Sequence, residues 1–235
     1  MPNSHGSKRT AWHLPLGRVA YGEALGVQEG VHQLRVAGRI PDTVITVEHD
    51  PVITIGRRGS SDNVLAPSEV LKREGIHVIH VDRGGDATYH GPGQLVAYPI
   101  VDLREYGRDI KAYVERLEHT AIRTLACYKL AAKQRVGFPG IWVGDWKVGS
   151  IGIAVRRWVS RHGVALNLAV RSDHFRLINP CGLGVEVTSL ADHVEEPPSM
   201  DVFVSTFVSN MADVFDWSIE RVTLADVRNG RTWNG

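Results

Sequence analysis

Two stretches of the chain carry residue types that could do chemistry, and the first is a glycine-rich segment at residues 82–94. It holds four glycines together with Arg83, Thr88, Tyr89 and His90. Glycines let the backbone approach a ligand closely and present bare N–H groups. A connection between paired strands usually needs only two to five residues. The pattern favours a ligand-binding cradle over the alternative of a long surface turn.

The second stretch is a turn around one of the two cysteines. Cys181 lies between Pro180 and Gly182, residues typical of a sharp, exposed turn. A cysteine at such a turn can be a nucleophile that substrate reaches. From sequence context alone, it can equally be a turn residue with no catalytic role. Cys127 follows Leu125 and Ala126 in an apolar helical stretch and is predicted to be a small packing residue.

A nucleophilic cysteine must be a thiolate, and its ordinary pKa of about 8.5 leaves only a few per cent ionised at neutral pH. A nearby cation has to lower that pKa, and the candidates are Lys147, Arg83, His90 and His162. Lys147 stands in an otherwise apolar or small segment. Its spacing alone favours an exposed strand face over a deliberately placed charge.

Composition limits the class of protein. A chain of 235 residues with 43% hydrophobic residues can bury a full core, and a net charge of +1 gives no reason to expect nucleic acid or an acidic membrane as partner. No apolar run reaches membrane-spanning length, and the first residues lack a signal-peptide core. We therefore expect a cytoplasmic protein. Histidine spacing matches no common ligand pattern, so no metal is predicted.

Hydrophobic periodicity predicts strands mixed with helices. Helices are expected at 21–36, 67–74, 110–128 and 201–215, and strands at 12–16, 43–48, 52–56, 76–81, 95–100, 141–143, 147–155 and 163–170. Hairpins in this order imply antiparallel pairing. The predicted fold class is mixed α/β (α+β), in one compact domain without a linker.

Several separated motifs resemble the octanoyltransferase family, also called lipoate-protein ligase B. The central one joins Arg83-Gly84-Gly85 to the run Thr88-Tyr89-His90-Gly91-Pro92-Gly93-Gln94 and to Tyr98-Pro99. The others are Glu48-His49 with Gly56-Arg57, Gly140-Ile141-Trp142-Val143, Lys147 with Ser150-Ile151-Gly152, His162-Gly163 with Ala165-Leu166-Asn167, and Asn179-Pro180-Cys181-Gly182 with Val187-Thr188-Ser189-Leu190. The match covers roughly residues 12–215, and its ordered motifs are far more specific than a single short pattern.

The resemblance implies site residues. Cys181 would form an acyl-thioester intermediate, and Lys147 would depress its pKa. The substrate-binding residues it implies are Arg83, Gly84, Gly85, Asp86, Ala87, Thr88, Tyr89, His90, Ser150, Ile151, Gly152, Gly163, Val164 and Ala165.

The resemblance also implies fold, reaction and partners. The family's fold, shared with lipoate ligases and biotin protein ligases, is a single domain with a larger mixed sheet and a smaller one, flanked by helices. The two ends of the chain carry no match, so we expect a flexible tail at 1–10 and a polar extension at 218–235 on either side of a catalytic acyltransferase domain at 11–217. Octanoyl-acyl carrier protein would be the donor. Lipoyl domains of 2-oxoacid dehydrogenase E2 subunits and the glycine cleavage H protein would be acceptors, with no cofactor and a monomeric enzyme.

Three other functions fit parts of the pattern. An ATP-dependent lipoate-protein ligase shares the fold but needs no cysteine nucleophile. An octanoyl amidotransferase would use the same cysteine with an octanoyl-lipoyl domain as donor. A catalytically inactive acyl or lipoyl-domain binder would not need the Cys181 and Lys147 pair.

Overall fold

The computed structural model describes residues 8–179 and 186–228. The helices are α1 (Tyr21–Val36), α2 (Ser68–Arg73), α3 (Ile110–Ala126), α4 (Met200–Phe215) and α5 (Leu224–Arg228). The strands are β1 (Arg9–Val19), β2 (Asp42–His49), β3 (Val52–Ile55), β4 (His77–His80), β5 (Ala87–His90), β6 (Gln94–Ile100), β7 (Lys133–Arg135), β8 (Phe138–Val143), β9 (Trp146–Arg156), β10 (Val159–Asn167) and β11 (Trp217–Arg221). The predicted mixed α/β class is confirmed.

The strands form two sheets. The larger has the order β11-β1-β2-β6-β10-β9-β8-β7, parallel from β11 to β2 and antiparallel from there on. The smaller has the order β4-β3-β5, with β3 parallel to β4 and antiparallel to β5. The two-sheet architecture matches the expectation from the resemblance.

Both faces of the larger sheet are covered. Along β6, Leu95 and Ala97 pack into the cluster formed with α3 and α4, whereas Val96, Tyr98 and Ile100 pack into the cluster formed with α1. Alternate side chains of a strand point to opposite faces, so a strand buried on both sides is apolar almost throughout. The apolar run of β6 therefore reflects its central position.

One strand lies inside the segment predicted as an irregular cradle. Residues 87–90 form β5, which pairs with β3 in the smaller sheet. Its sequence shows no alternation of polar and apolar residues, yet Ala87, Tyr89 and His90 are buried. Burial of polar side chains that bond one another hides the period-2 signal on which strand prediction depends.

Cys127 corrects a prediction. The residue lies just after the last residue of α3, at its C-cap, and is exposed. The helix ends two residues earlier than the apolar pattern suggested, at Ala126 rather than Tyr128, and this leaves the side chain of Cys127 outside the core.

Candidate active site

A cavity of about 650 Å³ opens between the smaller sheet and the larger one. Of the predicted site residues, those that line it are Arg83, Gly84, Gly85, Asp86, Ala87, Thr88, His90, Lys147, Ser150, Ile151, Gly152, Gly163, Val164 and Ala165. Its size is in the range of pockets that enclose small ligands. Segments far apart in sequence thus meet around one space.

Tyr89 is a predicted site residue that does not line the cavity. Its hydroxyl lies 2.7 Å from Nδ1 of His174, and its ring meets that of Phe175 edge-on. It packs in the small core around Ile53 and Leu71. These contacts place Tyr89 in the core behind β5 rather than in the cavity.

The cavity exists because strand β9 is longer than its partner β8. Pairing joins only Ile141–Val143 to Trp146–Gly149, whereas β9 continues to Arg156. At the uncovered part of β9, the N–H of Gly84 donates to the carbonyl of Ile153 at 2.8 Å. The glycine-rich segment therefore takes the place of a neighbouring strand.

Gly152 allows this close approach. A Cβ at position 152 would lie 2.9 Å from the carbonyl oxygen of Gly84 and 3.2 Å from Cδ of Arg83. The first distance is below any ordinary contact, and the atom it meets is backbone that cannot rotate away. Glycine is required here for lack of room.

Arg83 is fixed within the cavity wall. Its Nη2 donates to the main-chain carbonyl of Thr54 at 2.7 Å and to the hydroxyl of Thr54 at 2.9 Å, and its Nη1 donates to the carbonyl of Gly84 at 3.1 Å. The residue is buried. A guanidinium presents several donors in a fixed plane, so Arg83 ties β3 to the glycine-rich segment and contributes positive charge to this wall.

Two histidines considered as cations are neutral at pH 7. Burial, with a smaller contribution from His49, lowers the pKa of His90 to about 3. Burial also lowers the pKa of His162, and this outweighs the opposite effect of Asp82, whose Oδ1 accepts from His162 Nε2 at 2.6 Å. Neither imidazole therefore supplies positive charge to the cavity near neutral pH.

Lys147 is half-buried and its side chain lies along the cavity wall. A Cβ at Gly140 would overlap its Cε, and its Nζ lies 5.8 Å from the centre of the Trp142 ring, within reach of a cation–π contact. Spacing alone favoured an exposed strand face, and that interpretation is wrong. The pairing between β8 and β9 shifts register between Ile141 and Trp142, next to the residue paired with Lys147.

The main chain of Lys147 pairs with the segment that follows Cys181. Its N–H donates to the carbonyl of Glu186 at 2.9 Å, and the N–H of Thr188 donates to the carbonyl of Lys147 at 3.0 Å. On the other flank, the N–H of Asn179 donates to the carbonyl of Asn63 at 2.8 Å. Cys181 itself lies outside the described residues.

The sequence reasoning missed part of the lining. Val114 and Glu118, four residues apart on one face of α3, line the cavity beside Phe138. Burial, and secondarily the charge of Glu115, raises the pKa of Glu118. In sequence these two residues look like ordinary helix surface, so no signal marked them. Trp142 and Tyr98, also lining residues, stood inside quoted motifs.

The sequence profile of the lipoyl protein ligase A/B catalytic domain matches residues 20–212, most of the chain. The chain belongs to this family. A protein named octanoyltransferase from Caldicellulosiruptor bescii is 51% identical over 170 residues, covering 72% of this chain and 75% of its own. Another octanoyltransferase, from Solibacter usitatus, is 43% identical over 204 residues, covering 87% and 92%. The resemblance found in the motifs is confirmed.

Solved structures at low sequence identity show the same fold. Lipoate-protein ligase A bound with ATP superposes with a TM-score of 0.78 at 17% identity, covering 94% of this chain and 93% of its own. A biotin protein ligase from Aquifex aeolicus, in complex with biotin and ATP, superposes with a TM-score of 0.52 at 10% identity, covering 88% and 70%. At these identities the likeness establishes architecture alone. Within the described residues, no helix has the length and apolar character needed to span a membrane.

Proposed function

We propose that this chain is an octanoyltransferase that moves an octanoyl group from acyl carrier protein to a lysine of a lipoyl domain. The reaction would pass through a thioester on Cys181. The observation that carries the proposal is Lys147, which lines the cavity while its main chain pairs with Glu186 and Thr188. Cys181 is two residues from Asn179 and five from Glu186. The proposal requires Cys181 to lie beside this wall.

The ammonium of Lys147 would favour the thiolate of Cys181 by direct charge attraction. It is the best-placed cation, because His90 and His162 are neutral and Arg83 bonds to Thr54. A fall of about two units in the thiol pKa would make the thiolate the main form at pH 7.

In the first half-reaction, the thiolate attacks the thioester carbonyl of the octanoyl carrier. A C–S bond to Cys181 forms, the C–S bond to the carrier breaks, and the released thiolate takes a proton from Lys147 or solvent. In the second, the neutral amine of the acceptor lysine attacks the new thioester. A C–N bond forms, the thiolate of Cys181 leaves, and the amine proton passes to Lys147 or water. The donor is already activated, so no ATP or other cofactor is consumed.

The cavity suits an acyl chain of medium length. Phe138, Val114, Ile151 and Ile153 give it an apolar side, and Gly152 and Gly163 leave room beside them. An octanoyl tail carries about seven CH₂ or CH₃ groups, and burying each is worth roughly 0.8 kcal/mol, giving about 5–6 kcal/mol before the costs of binding. That selects octanoyl over acetyl and separates neighbouring chain lengths by less than tenfold.

The finer expectations complete the proposal. The acceptors would be lipoyl domains of 2-oxoacid dehydrogenase E2 subunits and the glycine cleavage H protein. The enzyme would act as a monomer in the cytoplasm, with residues 11–217 as its catalytic domain. Size-exclusion chromatography with light scattering checks the oligomeric state, and assays with each acceptor domain check the specificity.

The decisive experiment is mass spectrometry of the protein after incubation with octanoyl-acyl carrier protein. We expect one octanoyl adduct on Cys181, lost in Cys181→Ser and kept in the matched variant Cys127→Ser. Adding an unmodified lipoyl domain without ATP should discharge the adduct onto its lysine. An absolute requirement for ATP would instead identify a ligase, and charging only from an octanoyl-lipoyl domain an amidotransferase. No adduct from any donor would favour an inactive binder.

A further inference from the structure

Both flanks of the segment that holds Cys181 are linked by hydrogen bonds, through Asn63 and Asn167, to the two ends of strand β5. Asp86 precedes β5 and His90 is its last residue. Asn63 links the first flank to Asp86, and Asn167 links the second flank, through Gln94, to His90. Gln94 and Asn167 belong to the family motifs without an assigned role, and Asn63 lies outside those motifs.

The first link begins where the described chain ends before Cys181. The N–H of Asn179 donates to the carbonyl of Asn63, and Ile178 forms a β-bridge with Val64. The side-chain amide of Asn63 donates to both carboxylate oxygens of Asp86 at 2.7 Å. Asp86 also lines the cavity, so this flank is joined directly to the cavity wall.

The second link is a one-way chain of buried amides. His90 is neutral, and its Nδ1–H donates to Oε1 of Gln94 at 2.7 Å. The amide nitrogen of Gln94 donates to Oδ1 of Asn167 at 2.9 Å, and the amide nitrogen of Asn167 donates to the carbonyl of Thr188 at 2.9 Å. The amide nitrogen of Gln94 also lies 3.4 Å from the carbonyl oxygen of Tyr89, and since both of its acceptors are oxygens, the orientations of both amides are fixed.

The second link ends where Lys147 is paired. The N–H of Thr188 donates to the carbonyl of Lys147, so the same peptide segment is held from the side by Asn167 and along its edge by Lys147. Gln94, Asn167 and Thr188 are all buried. Bonds of this kind are kept only when every member has its partner, because an unpaired buried amide is costly.

We infer that Asn63 and Asn167 are positioning residues. They tie the two flanks of the Cys181 segment to the two ends of β5, and through these flanks they would set the separation of thiol and ammonium. The inference rests on the proposed function. Attraction between two unit charges falls with their separation, so loosening either flank should reduce the effect of Lys147 on the thiol.

The test measures the rate of Cys181 alkylation by iodoacetamide against pH, with the product identified on its own peptide in a Cys127→Ser background. Asn63→Ala and Asn167→Leu change no charge and delete one link each. We expect each to raise the apparent thiol pKa by about half a unit or more, which lowers alkylation at about pH 5.5, below both pKa values, by about threefold or more.

Two further variants separate positioning from general stability. Asn63→Asp combined with Asp86→Asn exchanges donor and acceptor without changing net charge, and should restore the wild-type profile that Asn63→Ala loses. Ser160→Ala removes a buried hydroxyl that bonds to Pro99 and Val101 on the neighbouring strand, and should lower thermal stability without moving the thiol pKa.

The outcomes are distinct. A low thiol pKa in the wild type that is unchanged in Asn63→Ala and Asn167→Leu overturns the positioning role and leaves the proposed function standing. A shift equal to that of Ser160→Ala overturns it as well. An ordinary thiol pKa near 8.5 in the wild type overturns the Lys147 role in the proposed function and this inference with it.

Discussion

The main-chain N–H of Lys147 donates to the carbonyl oxygen of Glu186 at 2.9 Å. The lysine that lines the cavity is thereby part of a short parallel pairing with the chain that emerges from the Cys181 segment. A hydrogen bond between main chains fixes position more firmly than one between two long side chains, which have several free torsions. The position of Lys147 relative to residues 186–188 is therefore fixed by main-chain hydrogen bonds.

Replacing Lys147 by alanine removes the charge and keeps that main-chain pairing. We expect the apparent pKa of Cys181 to rise toward about 8.5, so that the thiolate at pH 7 falls to a few per cent and acylation slows by tenfold or more. A pH profile of thiol alkylation measures the shift. Lys133→Ala, on exposed β7 outside the cavity lining, is the control. A profile unchanged by Lys147→Ala would refute the assigned role.

Gly152→Ala tests the close packing of the glycine-rich segment on β9. The added Cβ would meet the Gly84 carbonyl at 2.9 Å, so the backbone has to move at a cost of about 1–3 kcal/mol. The shift should also raise KM for the octanoyl donor. Urea unfolding and steady-state kinetics report the two effects.

Gly26→Ala is the matched control for this substitution. Gly26 lies inside α1 with no atom within 4 Å of an added Cβ, and alanine there should stabilise the protein by about 0.5–1 kcal/mol. If both variants behaved alike, room at position 152 would not be the reason for glycine.

Local patterns in the sequence predicted the isolated elements well. The period of Ala24, Val27 and Val31 gives α1, and Ser199 caps α4 through its hydroxyl as its residue type suggests. These features depend on neighbours within one or two turns. Such helices can be predicted from the sequence because each one buries a single face.

Features that depend on contacts between distant segments of the chain could not be predicted from the sequence. Strand β11 pairs in parallel with β1, from Arg9 opposite Trp217 to His13 opposite Arg221, in a stretch where the polar sequence predicted little. Val114 and Glu118 join the cavity only because α3 packs beside β8 and β9. The motifs named most of the residues that line the cavity. Only the contacts of Tyr89 with His174 and Phe175 show that this residue lies behind the cavity wall.

Arg83→Lys keeps a positive charge and loses the planar fork that bonds Thr54. A lysine ammonium cannot reproduce donation from Nε and Nη2 to both the hydroxyl and the carbonyl of Thr54. We expect a loss of about tenfold or more in kcat/KM, because the loosened segment no longer shapes the cavity. Arg57→Lys, exposed and outside the lining, should leave kcat/KM unchanged. Full activity of Arg83→Lys would show that charge alone is needed.

Acid should destabilise the fold through buried neutral histidines. Burial lowers the pKa of His13 and of His49 to about 4 and that of His90 to about 3. The unfolded chain takes up these protons below about pH 6.5 while the folded protein does not, so the free energy of unfolding is highest above that pH and falls as pH drops toward 4. Each histidine adds at most about 1.4 kcal/mol per pH unit to the slope.

Urea unfolding from pH 7.5 to 5 measures this slope of the free energy of unfolding against pH. His13→Gln, which can keep a bond to Thr46 and lies outside the cavity, should flatten the slope. An unaltered slope in His13→Gln would mean that His13 is protonated in the folded protein.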